Sequence, residues 1–183
     1  LITVPFVNYK MEIKNAFSTF FFIENWYLAS SGSDYLRQGE SKSLFQQFWA
    51  LSVQVQLYFF IPILYLYAKK FERALNLKHV VTAILVAVFA CSFIYSLYLT
   101  SVYPEWAYFD TITRAWEFIA GLLLFHLGGK LQFNQRTATF LNLIAVFMII
   151  SFGLYWGQNY ALPGLVALIP VLSACIIIVT SKS

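Results

Sequence analysis

Long apolar runs, separated by short polar stretches, set the pattern of this chain. Crossing a hydrocarbon core of ~30 Å takes about 20 helical residues. Six stretches approach that length: 11–29, 47–67, 80–100, 112–127, 138–156 and 161–180. Each run is continuously apolar, without the in–out alternation of barrel strands, so helices are expected. Turns are expected at "SSGSDYLRQGESKS", "KKFERALNLKH", "SVYPEWAYFD", "GGKLQFNQR" and "WGQNYALPG", and Pro62, Pro163 and Pro170 are candidate helix breakers. The pattern predicts an all-α fold, a polytopic integral membrane helical bundle with about six transmembrane helices.

Composition narrows the class further. Hydrophobic residues make up 60% of the 183 residues and charged residues only 11%, against about 25% charged in an ordinary soluble domain. Too little polar surface remains to cover a water-exposed globule, and the mean hydropathy of +0.70 agrees. The net charge of +4 does not point to nucleic acid, because the basic residues lie in short loops rather than in a patch. Counted on alternate sides of the six runs, Lys10, Lys14, Lys69, Lys70, Arg73, Lys78, Lys130, Arg136 and Lys182 share one side. Arg37, Lys42 and the boundary residue Arg114 fall on the other. The positive-inside rule then predicts a cytoplasmic location for both ends. Trp49, Tyr103, Trp106, Tyr108, Trp156 and Tyr160 gather toward the opposite interface, as aromatic belts do.

Cys91 and Cys175 lie in apolar runs without ligand spacing and read as reduced, small apolar side chains. No metal cluster, nucleophile triad or phosphate-binding glycine loop is present, so neither a metal nor a bound cofactor is expected. The opening "LITVPFV" and the closing "SKS" read as the edges of an excerpt.

Two polar groupings interrupt the apolar runs. In "FWALSVQVQLYFFIPILYLY", Gln47, Gln54 and Tyr58 share one helix face, while Ser52 and Gln56 share another. Such groups either join helices by hydrogen bonds of roughly 0.6–2 kcal/mol each or line a cavity. In "YFDTITRAWEFIAGLLLF", spacings of four and three stack Asp110, Arg114 and Glu117 on one face. An intramembrane charge costs about 2.5–3.5 kcal/mol on the insertion scale. The grouping is therefore either an internal Arg114–Glu117 ion pair or a cation presented to an anionic group. His126 and His79 fit interfacial positions and need no special role.

Four segments, in order, resemble the acyltransferase 3 family of bacterial membrane proteins, which includes O-antigen and other surface-glycan acetylases. "NWYLASSGSDYL" resembles its Asn-x-Tyr segment and following loop. "FWALSVQVQLYFFIPIL" resembles its Trp-Ser-Leu-x-Val-Glu-x-Gln-Phe-Tyr helix. "YFDTITRAWEFIAGLLL" resembles its Thr-Arg-x-Trp-Glu helix, and "LPGLVALIPVLSACIII" its Pro-Gly helix.

The resemblance implies that residues 1–183 are a middle portion of a membrane acyltransferase. Such an enzyme moves an acyl group, usually acetyl, from cytoplasmic acyl-CoA to a hydroxyl of a lipopolysaccharide or other glycan outside the bacterial inner membrane. Acyl-CoA is then the donor substrate, the glycan the acceptor and membrane lipid the surroundings. The family's catalytic His is expected upstream of Leu1, so no catalytic residue is assigned within these residues. Gln54 stands where the family usually has Glu, keeping shape and hydrogen bonding without charge. Gln54, Gln56, Tyr58, Arg114 and Glu117 are expected to line a polar cavity, with Asn25 and Tyr27 near its outer mouth. Two other readings stay open: a transporter or glycan flippase, and a non-catalytic remnant whose polar groups only hold helices together.

Overall fold

In the computed structural model, which describes residues 9–31, 44–127, 133–156 and 161–181, every regular element among them is helical. The chain forms α1 (Tyr9–Phe20), α2 (Glu24–Ser31) and, after a 3-10 turn at Gln46–Phe48, α3 (Trp49–Leu75). Then follow α4 (Val80–Val102), α5 (Pro104–Phe109), α6 (Thr111–Leu127) and α7 (Gln135–Ser151), which ends in a π-type turn at Phe152–Trp156. A 3-10 turn at Leu165–Ala167 leads into α8 (Leu168–Thr180). Gln46–Leu75, Val80–Val102 and Gln135–Tyr155 are each long and apolar enough to cross a bilayer. The protein is an all-α membrane bundle, the form in which each spanning segment satisfies its own backbone polar groups.

The first expected span is not one helix. α1 stops at Phe20, and the Ile23 N–H reaches the Ser18 carbonyl while the Phe22 N–H reaches that of Thr19. These bonds form a Schellman motif, with Phe22 at φ 55° in the position usually given to glycine. The left-handed backbone costs an L-residue roughly 1–2 kcal/mol, so tertiary contacts must hold it. The same motif closes α3 through Asn76 at φ 51°, a residue type that tolerates it well.

Other boundaries also move. α3 runs past Tyr67 through the expected loop to Leu75, continuing through Pro62. Its last turn caps the next helix, since the Glu72 carboxylate accepts from the Val81 N–H at 3.1 Å. The expected turn after α4 holds α5, which starts on Pro104, where a missing N–H costs nothing. α7 begins at Gln135, where the Asn134 side chain accepts from the Thr137 N–H at 2.8 Å. α8 begins only at Leu168 and passes through Pro170 in its first turn. Of the residues used for orientation, Arg37, Lys42, Lys130, Lys182 and Tyr160 lie outside the described residues.

α4 packs most extensively on α6, and α7 on α8. Leu28, Trp49, Val53, Leu57 and Phe109 make one buried apolar cluster, and Ala68, Val81, Leu85 and Ile119 make another. Outside them, large side chains such as Phe59, Phe60, Phe140, Phe147 and Leu154 stay exposed, as a lipid-facing surface requires.

One glycine is demanded by geometry. Gly164 is buried at φ +30°, and a Cβ there would stand 3.2 Å from both the Ala161 carbonyl oxygen and Thr100 Cγ2. Gly164→Ala is expected to destabilise the fold by about 1–2 kcal/mol. Unfolding of the detergent-purified variant tests this, and unchanged stability would contradict the close approach.

Candidate functional site

The sequence "AYFDTITR", Ala107 to Arg114, joins α5 to α6 and uses nearly every polar group it has. Asp110 ends α5 in extended conformation, and its carboxylate accepts from the Thr113 N–H at 2.9 Å, capping α6. The Thr113 hydroxyl bonds back to the carbonyls of Ala107 (2.7 Å) and Asp110 (2.8 Å). Asp110 therefore serves as a helix cap. With the corner fixed, three carbonyl or hydroxyl groups point at other elements.

Two of them meet Asn25. Its Nδ2 donates to the Phe109 carbonyl at 3.1 Å and to the Thr111 hydroxyl at 3.0 Å. Its Oδ1 accepts from Gln56 Nε2 at 3.0 Å. The second Nε2 hydrogen of Gln56 goes to the Phe22 carbonyl at 2.7 Å. Its Oε1 accepts from Thr111 Oγ1 and from Trp26 Nε1, the latter at 3.2 Å. One amide side chain from α2 and one from α3 thus tie together α2, α3, the α5–α6 corner and the break after α1. This network also holds Phe22 in its left-handed turn. Asn25 is fully buried, so it sits at the centre of the network rather than at an outer mouth.

The third group holds Arg114. The Tyr108 carbonyl accepts from Arg114 Nε at 3.1 Å. The guanidinium carbon lies 5.2 Å from the ring centroids of both Trp49 and Tyr108, within range of a cation–π attraction. Those two rings pack on each other at 4.9 Å, and Phe109 meets Trp49 edge-on at 5.3 Å. Glu117 stands one turn along α6, with Oε1 3.7 Å from Nη1: an ion pair beyond hydrogen-bond range. Both side chains keep about a fifth of their surface open, 19% for Arg114 and 20% for Glu117. The Nη2 edge of the guanidinium donates to no described residue. A cation is thereby fixed from one side and open on the other, the arrangement that suits bidentate binding of a phosphate or carboxylate.

Gln54 and Tyr58 lie apart from both groupings. Gln54 is exposed and hydrogen-bonds to no described residue, and Tyr58 is exposed with its ring edge-on to Phe118. Tyr27 is half-buried against the Leu28–Trp49 cluster. His126 meets the ring of Tyr65, and His79 is exposed at the start of α4. Cys91 and Cys175 are free thiols.

Thr111 and Ser92 escape a reading of spacing alone. Ser92 on α4 donates to the Ile112 carbonyl at 2.6 Å and accepts from the Trp116 N–H at 2.9 Å. Those are the two groups that an isolated α-helix would join to each other. The available signal is that Ser92, Ser96 and Thr100 recur every four residues on a strongly apolar helix, and all three are buried.

No family model matches the chain, and no solved structure matches it significantly. The chain is similar to a Komagataeibacter xylinus protein named as a candidate membrane-bound transacylase, BcsY. The two are 27% identical over 130 residues, covering 71% of this chain and 32% of that protein. The chain therefore spans about a third of that relative's length. Together with the apolar helices, this likeness supports a membrane protein related to membrane acyltransferases in general.

Proposed function

We propose that this chain is part of a multi-pass acyltransferase of the acyltransferase 3 type in the bacterial inner membrane. It transfers an acyl group, usually acetyl, from cytoplasmic acyl-CoA to a hydroxyl of a cell-surface or periplasmic glycan. The observation that carries this reading is Arg114, locked by the Tyr108 carbonyl and two aromatic rings with one edge left open. In the reaction the acceptor oxygen bonds to the thioester carbonyl carbon, the C–S bond breaks, and CoA leaves as its thiol. The hydroxyl proton passes by way of a base to the departing thiolate. Arg114 holds the oxygen that gains charge, where preorganised donors lower the barrier most. Glu117 sets the orientation of the guanidinium, and the Asn25–Gln56 network fixes the corner that carries it.

A transport reading has one observation in its favour: the helix break at Phe21–Ile23, since broken helices mark many substrate and ion sites in transporters. The full-length protein in proteoliposomes, given labelled acetyl-CoA and a bacterial surface glycan, separates the two. Saturable CoA release with label appearing on the glycan is expected. Glycan movement without acyl-CoA consumption would favour transport instead.

A further inference from the structure

Glu24 opens α2 directly after the break. It is fully buried, at 0% exposure, and neither carboxylate oxygen has a hydrogen-bond partner. Two more oxygens on α1 are in the same condition, Oδ1 of Asn15, itself 2% exposed, and Oγ1 of Thr19. The Thr19 hydroxyl adjoins Glu24 without reaching hydrogen-bond geometry. Asn15 and Thr19 lie one turn apart on the same face of α1, which packs on α2. Among the described residues no cationic side chain pairs with Glu24, and the charged neighbour that acts on it is Glu12, another anion.

An unpaired carboxylate is among the costliest groups to bury, so its charge must be removed or balanced. A proton would turn Glu24 into a donor, yet neither carboxylate oxygen stands in hydrogen-bond geometry with any described acceptor. Oxygens arranged around an ion behave differently: each faces the ion, and none bonds to another. The chemistry of the set fits a hard cation, with one carboxylate for charge and an amide and a hydroxyl as neutral ligands. One buried carboxylate balances a single positive charge. Glu12 is half-buried rather than enclosed, so solvent shares in balancing its charge.

We propose that Glu24, Asn15 and Thr19 form a binding site for a monovalent cation of about sodium's size at the α1–α2 break. The absence of metal-ligand spacing in the sequence does not oppose it, since that test concerns His, Cys and clustered carboxylates, whereas an alkali ion needs only oxygens. None of the three residues is among the partners of Arg114, and the proposal does not depend on the acyl-transfer reading.

The test uses the full-length protein in detergent, unfolded thermally in sodium chloride or in choline chloride of equal ionic strength. Sodium should raise the midpoint saturably by a few degrees, and Glu24→Gln should abolish that rise. Equal midpoints in the two salts, a sodium effect that survives Glu24→Gln, or stabilisation by acid or calcium alone would overturn the proposal. Should Glu24→Gln fail to accumulate, binding of radioactive sodium to the unmutated protein decides. Saturable uptake displaced by unlabelled sodium but not by choline supports the site, and no uptake refutes it.

Discussion

Replacing Arg114 by lysine in the full-length protein should lower acyl transfer by roughly 10- to 100-fold, a loss of one or two charge-assisted hydrogen bonds. Charge is retained in this variant, so the loss reports geometry. Lysine has no Nε to donate to the Tyr108 carbonyl, which holds Arg114 at 3.1 Å. Nor has it a plane to lie against Trp49 and Tyr108. Its ammonium is a mobile point charge where the guanidinium is a fixed fork. Membrane levels and melting behaviour should change little, because Arg114 remains partly open and contributes no core volume. Transfer at the unmutated rate, measured with equal protein in the bilayer, would remove Arg114 from the chemistry and leave it as an aromatic-boxed structural cation.

Gln56→Leu is the substitution expected to cost most in stability, about 2–4 kcal/mol. It removes the partners of the Phe22 carbonyl, Asn25 Oδ1, the Thr111 hydroxyl and Trp26 Nε1 together. A hydrogen bond between membrane helices averages about 0.6 kcal/mol, with values up to about 2. The release of the strained Phe22 turn adds to that sum. Gln54→Ala, two residues away on the exposed face, should stay within about 0.5 kcal/mol of the unmutated protein. Denaturant titration of the three proteins in one detergent compares them directly. Equal midpoints for the two substitutions would mean that the amide network contributes nothing to the fold.

That contrast shows what a sequence can and cannot disclose here. The apolar runs specified helices, and the i, i+4 spacing separated Gln56 from Gln54 by face. It could not say which face would turn inward, because both neighbours of a membrane helix, lipid and protein, are apolar. Asn25 and Arg114 drew notice as polar groups in apolar surroundings. Their partners were hidden because they are mostly backbone: the carbonyls of Phe22, Tyr108 and Phe109 have no side-chain signature. Asp110, Arg114 and Glu117 stack on a helical wheel, yet Asp110 lies before α6 begins, where its carboxylate serves the Thr113 N–H. The break in the first span was equally hidden. No glycine or proline marks Phe21–Ile23, and a phenylalanine occupies the left-handed position because Gln56, distant in sequence, grips its carbonyl.

The Ser92 hydroxyl gives α4 a share in the backbone of α6. Arg114 rides on the turn between Ile112 and Trp116, the two residues that Ser92 joins. A slide of α4 along its axis therefore cannot leave that turn unchanged: the serine either drags the Ile112 carbonyl with it or lets go and allows the turn to tighten. The serine thus sits at a fixed notch between the two helices, and the cation that α6 presents takes its setting from that notch.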